Sequence, residues 1–169
     1  MANKNSKNNI NAEKTNAMRI LEQKKIAYKS HFYDKDEAIS GIEVATALNK
    51  NPKQVFKTLV TVGKSKEHYV FVIPVDKELN LKKAAAAVGE KNIGMIKSKE
   101  LLPLTGYIHG GCSPIGMKKF FKTTIDNSAQ NYEVIFVSGG RIGCQVELSL
   151  DSLSKAIPFL LNDLCDVLE

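Results

Sequence analysis

"VFKTLVTV", residues 55–62, and "YVFVIPV", residues 69–75, are the stretches on which the fold class turns. Both are dense in β-branched and aromatic residues, and the polar "GKSKEH" (63–68) between them carries turn formers, so the spacing predicts a hairpin. Alternation in the first strand sets Lys57 on one face with Val55 and Leu59, and Phe56, Val60 and Val62 on the other. Working outward, "AYKSHFY" (27–33), "KTTIDN" (122–127), "EVIFVSG" (133–139) and "CQVELSL" (144–150) read as further strands. "TNAMRILEQKK" (15–25) reads as a helix capped by Thr15. "SGIEVATALNKNP" (40–52) reads as one capped by Ser40 that stops between Asn49 and Pro52. "NLKKAAAAVGEK" (80–91) ends near Gly89, "SKELLPLTG" (98–106) is expected to end at Pro103, and residues 151–169 read as a terminal helix interrupted near Pro158. Adjacent strand pairs with helices inserted between them favour a mixed α+β, or mixed α/β, fold over a doubly wound sheet.

The chain has 169 residues, enough for one domain with a core that needs neither disulfides nor metal. We expect a disordered tail over residues 1–13, where no apolar periodicity exists, and a single domain over 14–169. No apolar run approaches the roughly 18 residues of a membrane span. The Asn/Lys-rich start has no apolar core of a signal peptide, so a cytoplasmic location is expected. Cys112, Cys144 and Cys165 form no C-x-x-C pair, which predicts free thiols and no structural metal or cofactor. The net charge is +6. Because Asp151, Asp163, Asp166 and Glu169 face only Lys155 in the last stretch, the chain before it is more basic still, which suits either a polyanionic partner or a solvated Lys-rich surface.

Familiar catalytic signatures are missing: there is no phosphate-binding G-x-x-x-x-G-K, no G-x-S-x-G and no H-E-x-x-H. His109 and Cys112 lie three apart with no second pair, a weak basis for a metal site or a thiol with its base. Lys57 has two readings. Its stem covers Val55 and Leu59 while the amine reaches water, or a partly desolvated ammonium acts on a bound carbonyl or phosphate. Two glycine turns, "GGCSPIG" (110–116) and "SGGRIG" (138–143), permit positive φ and close backbone approach, so their amides can form an anion nest, although Gly-Gly also makes ordinary hairpins.

The combination of "VFKTLV" (55–60), "GGCSPIGMKK" (110–119) and "VSGGRIG" (137–143) resembles the YbaK/EbsC family of aminoacyl-tRNA deacylases, relatives of the editing domain of bacterial prolyl-tRNA synthetases. The resemblance covers about residues 15–157. It implies a mixed β-sheet closing toward a barrel with helices around it. It also implies trans-editing of Cys-tRNA(Pro), and by extension Cys-tRNA(Cys), without a cofactor, in a ternary complex with prolyl-tRNA synthetase. On this reading Lys57, Gly110 and Gly111 are catalytic. Tyr33, Thr58, Ser113, Pro114, Ser138, Gly139 and Gly140 bind the substrate, and Lys118, Lys119 and Arg141 meet the tRNA. Phe56 stands where relatives often have Tyr, and Cys112 occupies the variable position of the first turn. The missing nucleophile is then the substrate's own thiol, attacking its ester carbonyl to leave as a cyclic thiolactone, an intramolecular step that gains from effective molarity. The alternatives are deacylation of another misacylated tRNA such as Ala-tRNA(Pro), or a catalytically silent RNA-binding module.

Overall fold

In the hairpin that anchors the structure, a computed structural model that describes residues 13–36 and 38–166, β2 (Phe56–Gly63) runs antiparallel to β3 (His68–Pro74) with Lys57 opposite Ile73 and Thr61 opposite Tyr69. At the tip Lys66 takes a positive φ of 76°, and its amide donates to the Gly63 carbonyl. The expected tail, residues 1–13, lies outside the described residues except for Glu13.

The hairpin forms the middle of a five-stranded sheet. Its order is β4 (Ile93–Met95), β2, β3, β5 (Lys122–Asp126), β8 (Leu160–Asn162), with β3, β5 and β8 mutually parallel. A three-stranded antiparallel sheet, β1 (Lys29–Phe32), β7 (Cys144–Leu148), β6 (Ile135–Ser138), stands beside it. One parallel bridge, Val55 to Phe136, joins the two sheets. The expectation of a sheet closing toward a barrel is therefore corrected: β6 meets the larger sheet through the bridge at Val55, just ahead of β2, and β2 pairs with β4 from Thr61 onward, so two separate sheets form and no ladder between β2 and β6 closes them.

Five α-helices appear among the described residues: α1 (Asn16–Gln23), α2 (Gly41–Ala47), α3 (Leu81–Val88), α4 (Ser98–Thr105) and α5 (Leu150–Ala156). Their starts follow the expected caps. The Thr15 hydroxyl accepts from the Met18 amide, and Ser40 with Glu43 forms a reciprocal capping box. Gly89, in the left-handed region at φ 75°, ends α3. Two expectations fail. Pro103 sits inside α4, which continues to Thr105 and stops at Gly106; the Thr105 hydroxyl bonds the Leu101 carbonyl and helps hold this last turn together. Beyond Pro158 no helix resumes among the described residues, because the chain is drawn into parallel pairing with β5 as β8 and Cys165 bridges Leu79.

The main core lies on one side of the hairpin, where Phe56, Val60, Val70 and Val72 meet Ile125, Ile135, Val137, Val146 and the inner face of α1. On the other side Phe71 and Ile73 pack under Ala84 and Ala85 of α3. A third cluster, Ala45, Val55, Val75 and Phe136, fastens α2 at the bridge between the sheets. The site is built beside that bridge.

Candidate active site

Paired residues in neighbouring strands share a face, and the bridge carries this rule from one sheet to the next. Lys57 lies two residues beyond Val55, and Ser138 two beyond Phe136, so both project from the face on which Val55 and Phe136 pack together. Ser138 pairs with Gln145, and Gln145 with His31, which extends this face across the three-stranded sheet. Tyr33 follows at the strand's end, its amide donating to the Gly143 carbonyl at 3.0 Å. The Phe136 ring is edged by His31, at 5.3 Å between ring centres, and covered by Lys50 Nζ at 5.5 Å. The face is therefore polar and of mixed charge: Glu147, opposite Phe136, lies 3.6 Å from His31 Nε2, while Lys57 has no acidic partner among the described residues. Thr58 faces the main core instead, on the opposite side from Lys57, with its hydroxyl oxygen buried and unpartnered.

The two glycine turns meet. A Cβ on Gly111 would stand 2.9 Å from the backbone of Arg141 and from the Ile142 nitrogen, so only glycine permits this contact. Gly110 takes φ 84° and Gly140 φ 106°, the left-handed region that other residues rarely enter. Tyr107 is the buried post between the turns: its hydroxyl donates to the Ile115 carbonyl at 2.6 Å, and its ring edge lies 3.1 Å from where a Gly140 Cβ would be. Burial pushes its hydroxyl up to about 12, so Tyr107 remains a donor at neutral pH. The start of α1 seals the arrangement from outside, since the Asn16 amide donates to the Gly116 carbonyl at 2.9 Å and Glu13 lies 3.9 Å from Arg141.

The turn residues divide by what they present. The Gly111 amide donates to the Ile108 carbonyl at 3.0 Å, which commits one of the two amides expected to hold a carbonyl; the Gly110 amide has no partner among the described residues. Ser113 is fully buried, its hydroxyl accepting from the Ile115 amide, and Pro114 is buried beside it, so both shape the turn from within. Ser138 is 8% exposed and accepts from the Gly140 amide, while the Gly139 amide donates to the Cys144 carbonyl. Lys118 and Lys119 are exposed.

The weak His109 and Cys112 pairing gains no support: His109 is exposed, whereas the Cys112 thiol is buried and pushed up to about 12 by desolvation, a packed rather than a reactive cysteine. Burial likewise raises Cys144 to about 11 and Cys165 to about 12. No group of three or more metal-ligating side chains occurs among the described residues. The residue that sequence reasoning missed is Gln145. It is 6% exposed, and its Oε1 is buried without a partner between Ser138 and His31. The only signal was its outward place in "CQVELSL", directly after the second glycine turn.

With this geometry in hand, the comparisons are specific. Residues 36–156 match the model of the aminoacyl-tRNA editing domain. A protein of Enterococcus faecalis, provisionally named Cys-tRNA(Pro)/Cys-tRNA(Cys) deacylase EbsC, is 47% identical over 142 residues, covering 83% of this chain and 87% of that protein. A proline--tRNA ligase of Thermosipho africanus is 28% identical over 128 residues, which are 69% of this chain and 22% of the ligase. Among solved structures, one described provisionally as a trans-editing enzyme for prolyl-tRNA synthetase superposes with a TM-score of 0.80 at 23% identity, over 92% of this chain and all of that one. The hypothetical protein APE2540 gives the same TM-score at 21% identity, over 90% of this chain and all of its own. The chain belongs to the aminoacyl-tRNA editing domain family.

Proposed function

We propose that this chain is a trans-editing deacylase that removes cysteine from mischarged tRNA(Pro), and from tRNA(Cys) by the same chemistry. The observation that carries the reading is the shared face of Lys57, Ser138 and Gln145 beside two interlocked glycine turns, in a chain 47% identical to a protein provisionally named for that activity. An ester held on this face meets one cation, one unpartnered backbone donor at Gly110, and an unpartnered amide oxygen at Gln145. That oxygen suits the α-ammonium of an aminoacyl group, because a buried acceptor without a donor is costly until one arrives.

The nucleophile is the substrate's thiol. Its sulfur attacks the ester carbonyl, forming the C–S bond of a thiolactone; the C–O bond to the ribose breaks, and the departing ribose oxygen takes the proton released by the thiol. Water then opens the thiolactone. The chain's own thiols take no part, since burial holds all three protonated. The protein holds the reactive rotamer and stabilises the developing oxyanion, for which the Gly110 amide is the first donor and Lys57 supplies charge at the oxyanion or the terminal ribose-phosphate. Lys118, Lys119 and Arg141 meet tRNA phosphates, and prolyl-tRNA synthetase supplies tRNA selection in a ternary complex in the cytoplasm, with residues 14–169 acting as one unit. Release of cysteine from Cys-tRNA(Pro) that is lost on Lys57→Ala tests the reading; an unaffected rate refutes the assigned site.

A further inference from the structure

Two buried polar atoms without a partner fall on residues that face each other across a strand pair: His31 Nε2 in β1 and Gln145 Oε1 in β7. A buried polar group left unbonded is costly, and two of them on paired residues of the candidate site's own face point to a ligand. The neighbouring rings show how the pair is arranged. Because β1 and β6 flank β7, their backbones stand about 9.6 Å apart, yet the ring centres of His31 and Phe136 are 5.3 Å apart. His31 therefore leans across β7, over the row where Gln145 and Glu147 stand two residues apart on one face. Its Nε2 lies 3.6 Å from Glu147 Oε1, which is too far for a hydrogen bond. Glu147 is itself held loosely, by an exposed Lys29 at 4.0 Å. The cluster is open to solvent along this rim, where the side chains of His31 and Glu147 are 26% and 14% exposed.

The oxygens of Gln145 and Glu147 are acceptors only, and His31 adds a third acceptor at Nε2 in the tautomer assigned here, with its proton on Nδ1. A hydroxyl brings one proton to these three atoms and a water two. A primary ammonium brings three, together with the positive charge that Glu147 calls for. The chain's own ammonium groups leave the place free: Lys50 lies over the Phe136 ring, and neither it nor Lys57 bonds any of the three atoms. We infer that Gln145, His31 and Glu147 together form a recognition site for a primary ammonium, through which the protein selects esters whose amino group is free. Aminoacyl-tRNA meets that condition, whereas tRNA carrying an N-blocked amino acid or a peptide lacks both the charge and two of the protons. The inference rests on the proposed function and deepens it, adding two residues to Gln145 and a boundary to the substrate class.

The test compares two ligands on the full chain by titration calorimetry. Both are adenosines whose 3′ oxygen is replaced by an amide nitrogen, one acylated with cysteine and the other with 3-mercaptopropionate, which keeps the thiol and lacks the amine. Wild type should bind the cysteinyl amide roughly 10- to 100-fold more tightly, the range for hydrogen bonds to a charged group. Gln145→Leu and His31→Phe should each bring that ratio toward one, and Glu147→Gln should lower it in part. Because the ratio is taken within one protein, a general loss of stability does not move it. In the activity arm, N-acetylcysteinyl-tRNA(Pro), with its thiol intact, should be cleaved by wild type at a kcat/KM lower by a similar factor. Equal affinity of wild type for the two amides, or binding of neither, would overturn the inference. So would a preference that all three variants retain, or cleavage of the acetylated ester as fast as the cysteinyl one. A preference that the variants lose, with no hydrolysis of any ester, would uphold the ammonium site and refute the proposed function alone.

Discussion

At Lys57 a strand leaves an ammonium on the face it shares with Ser138 and Gln145, and no carboxylate among the described residues neutralises it. Lys57→Ala is expected to lower the single-turnover rate on Cys-tRNA(Pro) by about 10²- to 10³-fold, the loss typical of removing one oxyanion-stabilising group, while the melting temperature stays nearly unchanged. A parallel change in rate and melting temperature would give the lysine a structural role only. Gly111→Ala acts differently, because its Cβ would meet backbone, which cannot turn aside as a side chain can. It should cost about 1–3 kcal/mol of stability and separate the two turns, read as a lower urea midpoint together with lost deacylation. Lys57 and both glycine turns were legible in the sequence because strand alternation and paired glycines are local signals. Gln145 and Tyr107 were not, since their importance comes from what three strands and two distant turns bring against them.

Elements whose boundaries depend on caps were the most legible. Ser40→Ala should destabilise the chain by about 1 kcal/mol by removing half of the capping box of α2, measurable by chemical denaturation. Because α2 supplies Ala45 to the cluster at the Val55–Phe136 bridge, the same change should also slow deacylation modestly. Elements decided by long-range pairing were less legible. The run after Pro158 has helix-like apolar spacing, yet Leu160–Asn162 completes the sheet beyond β5, and nothing local to that run reveals a strand waiting more than thirty residues earlier. Pro103 misled for the converse reason: a proline in the interior of a short helix is tolerated when side-chain bonding and a left-handed glycine secure the last turn. The separation of the two sheets is also a tertiary outcome, set by where β6 meets the chain at Val55 and β4 joins β2.

Over the whole molecule, the three thiols bind protons more tightly folded than unfolded, since burial raises Cys112 and Cys165 to about 12 and Cys144 to about 11. A raised pKa contributes stability that is fully present below the unfolded value, about 8.5, and is lost as pH rises through the folded values. The urea midpoint should therefore fall steadily above about pH 9, and a Cys112→Ala variant, compared with wild type as a difference, should show a shallower decline. The same burial predicts that an aromatic disulfide reagent at pH 8 labels none of the three thiols in the native chain and all of them after unfolding. These thiols are thereby withdrawn from the chemistry, so the nucleophile comes either from the substrate, as in the mechanism proposed here, or from water.

The choice of the substrate's thiol is tested most directly by single-turnover deacylation of Cys-tRNA(Pro), Ala-tRNA(Pro), Pro-tRNA(Pro) and S-methylcysteinyl-tRNA(Pro). Loss of the cysteinyl ester alone, abolished by methylating its sulfur, is the expected result; comparable hydrolysis of the alanyl or S-methylcysteinyl ester would make water the nucleophile and contradict it.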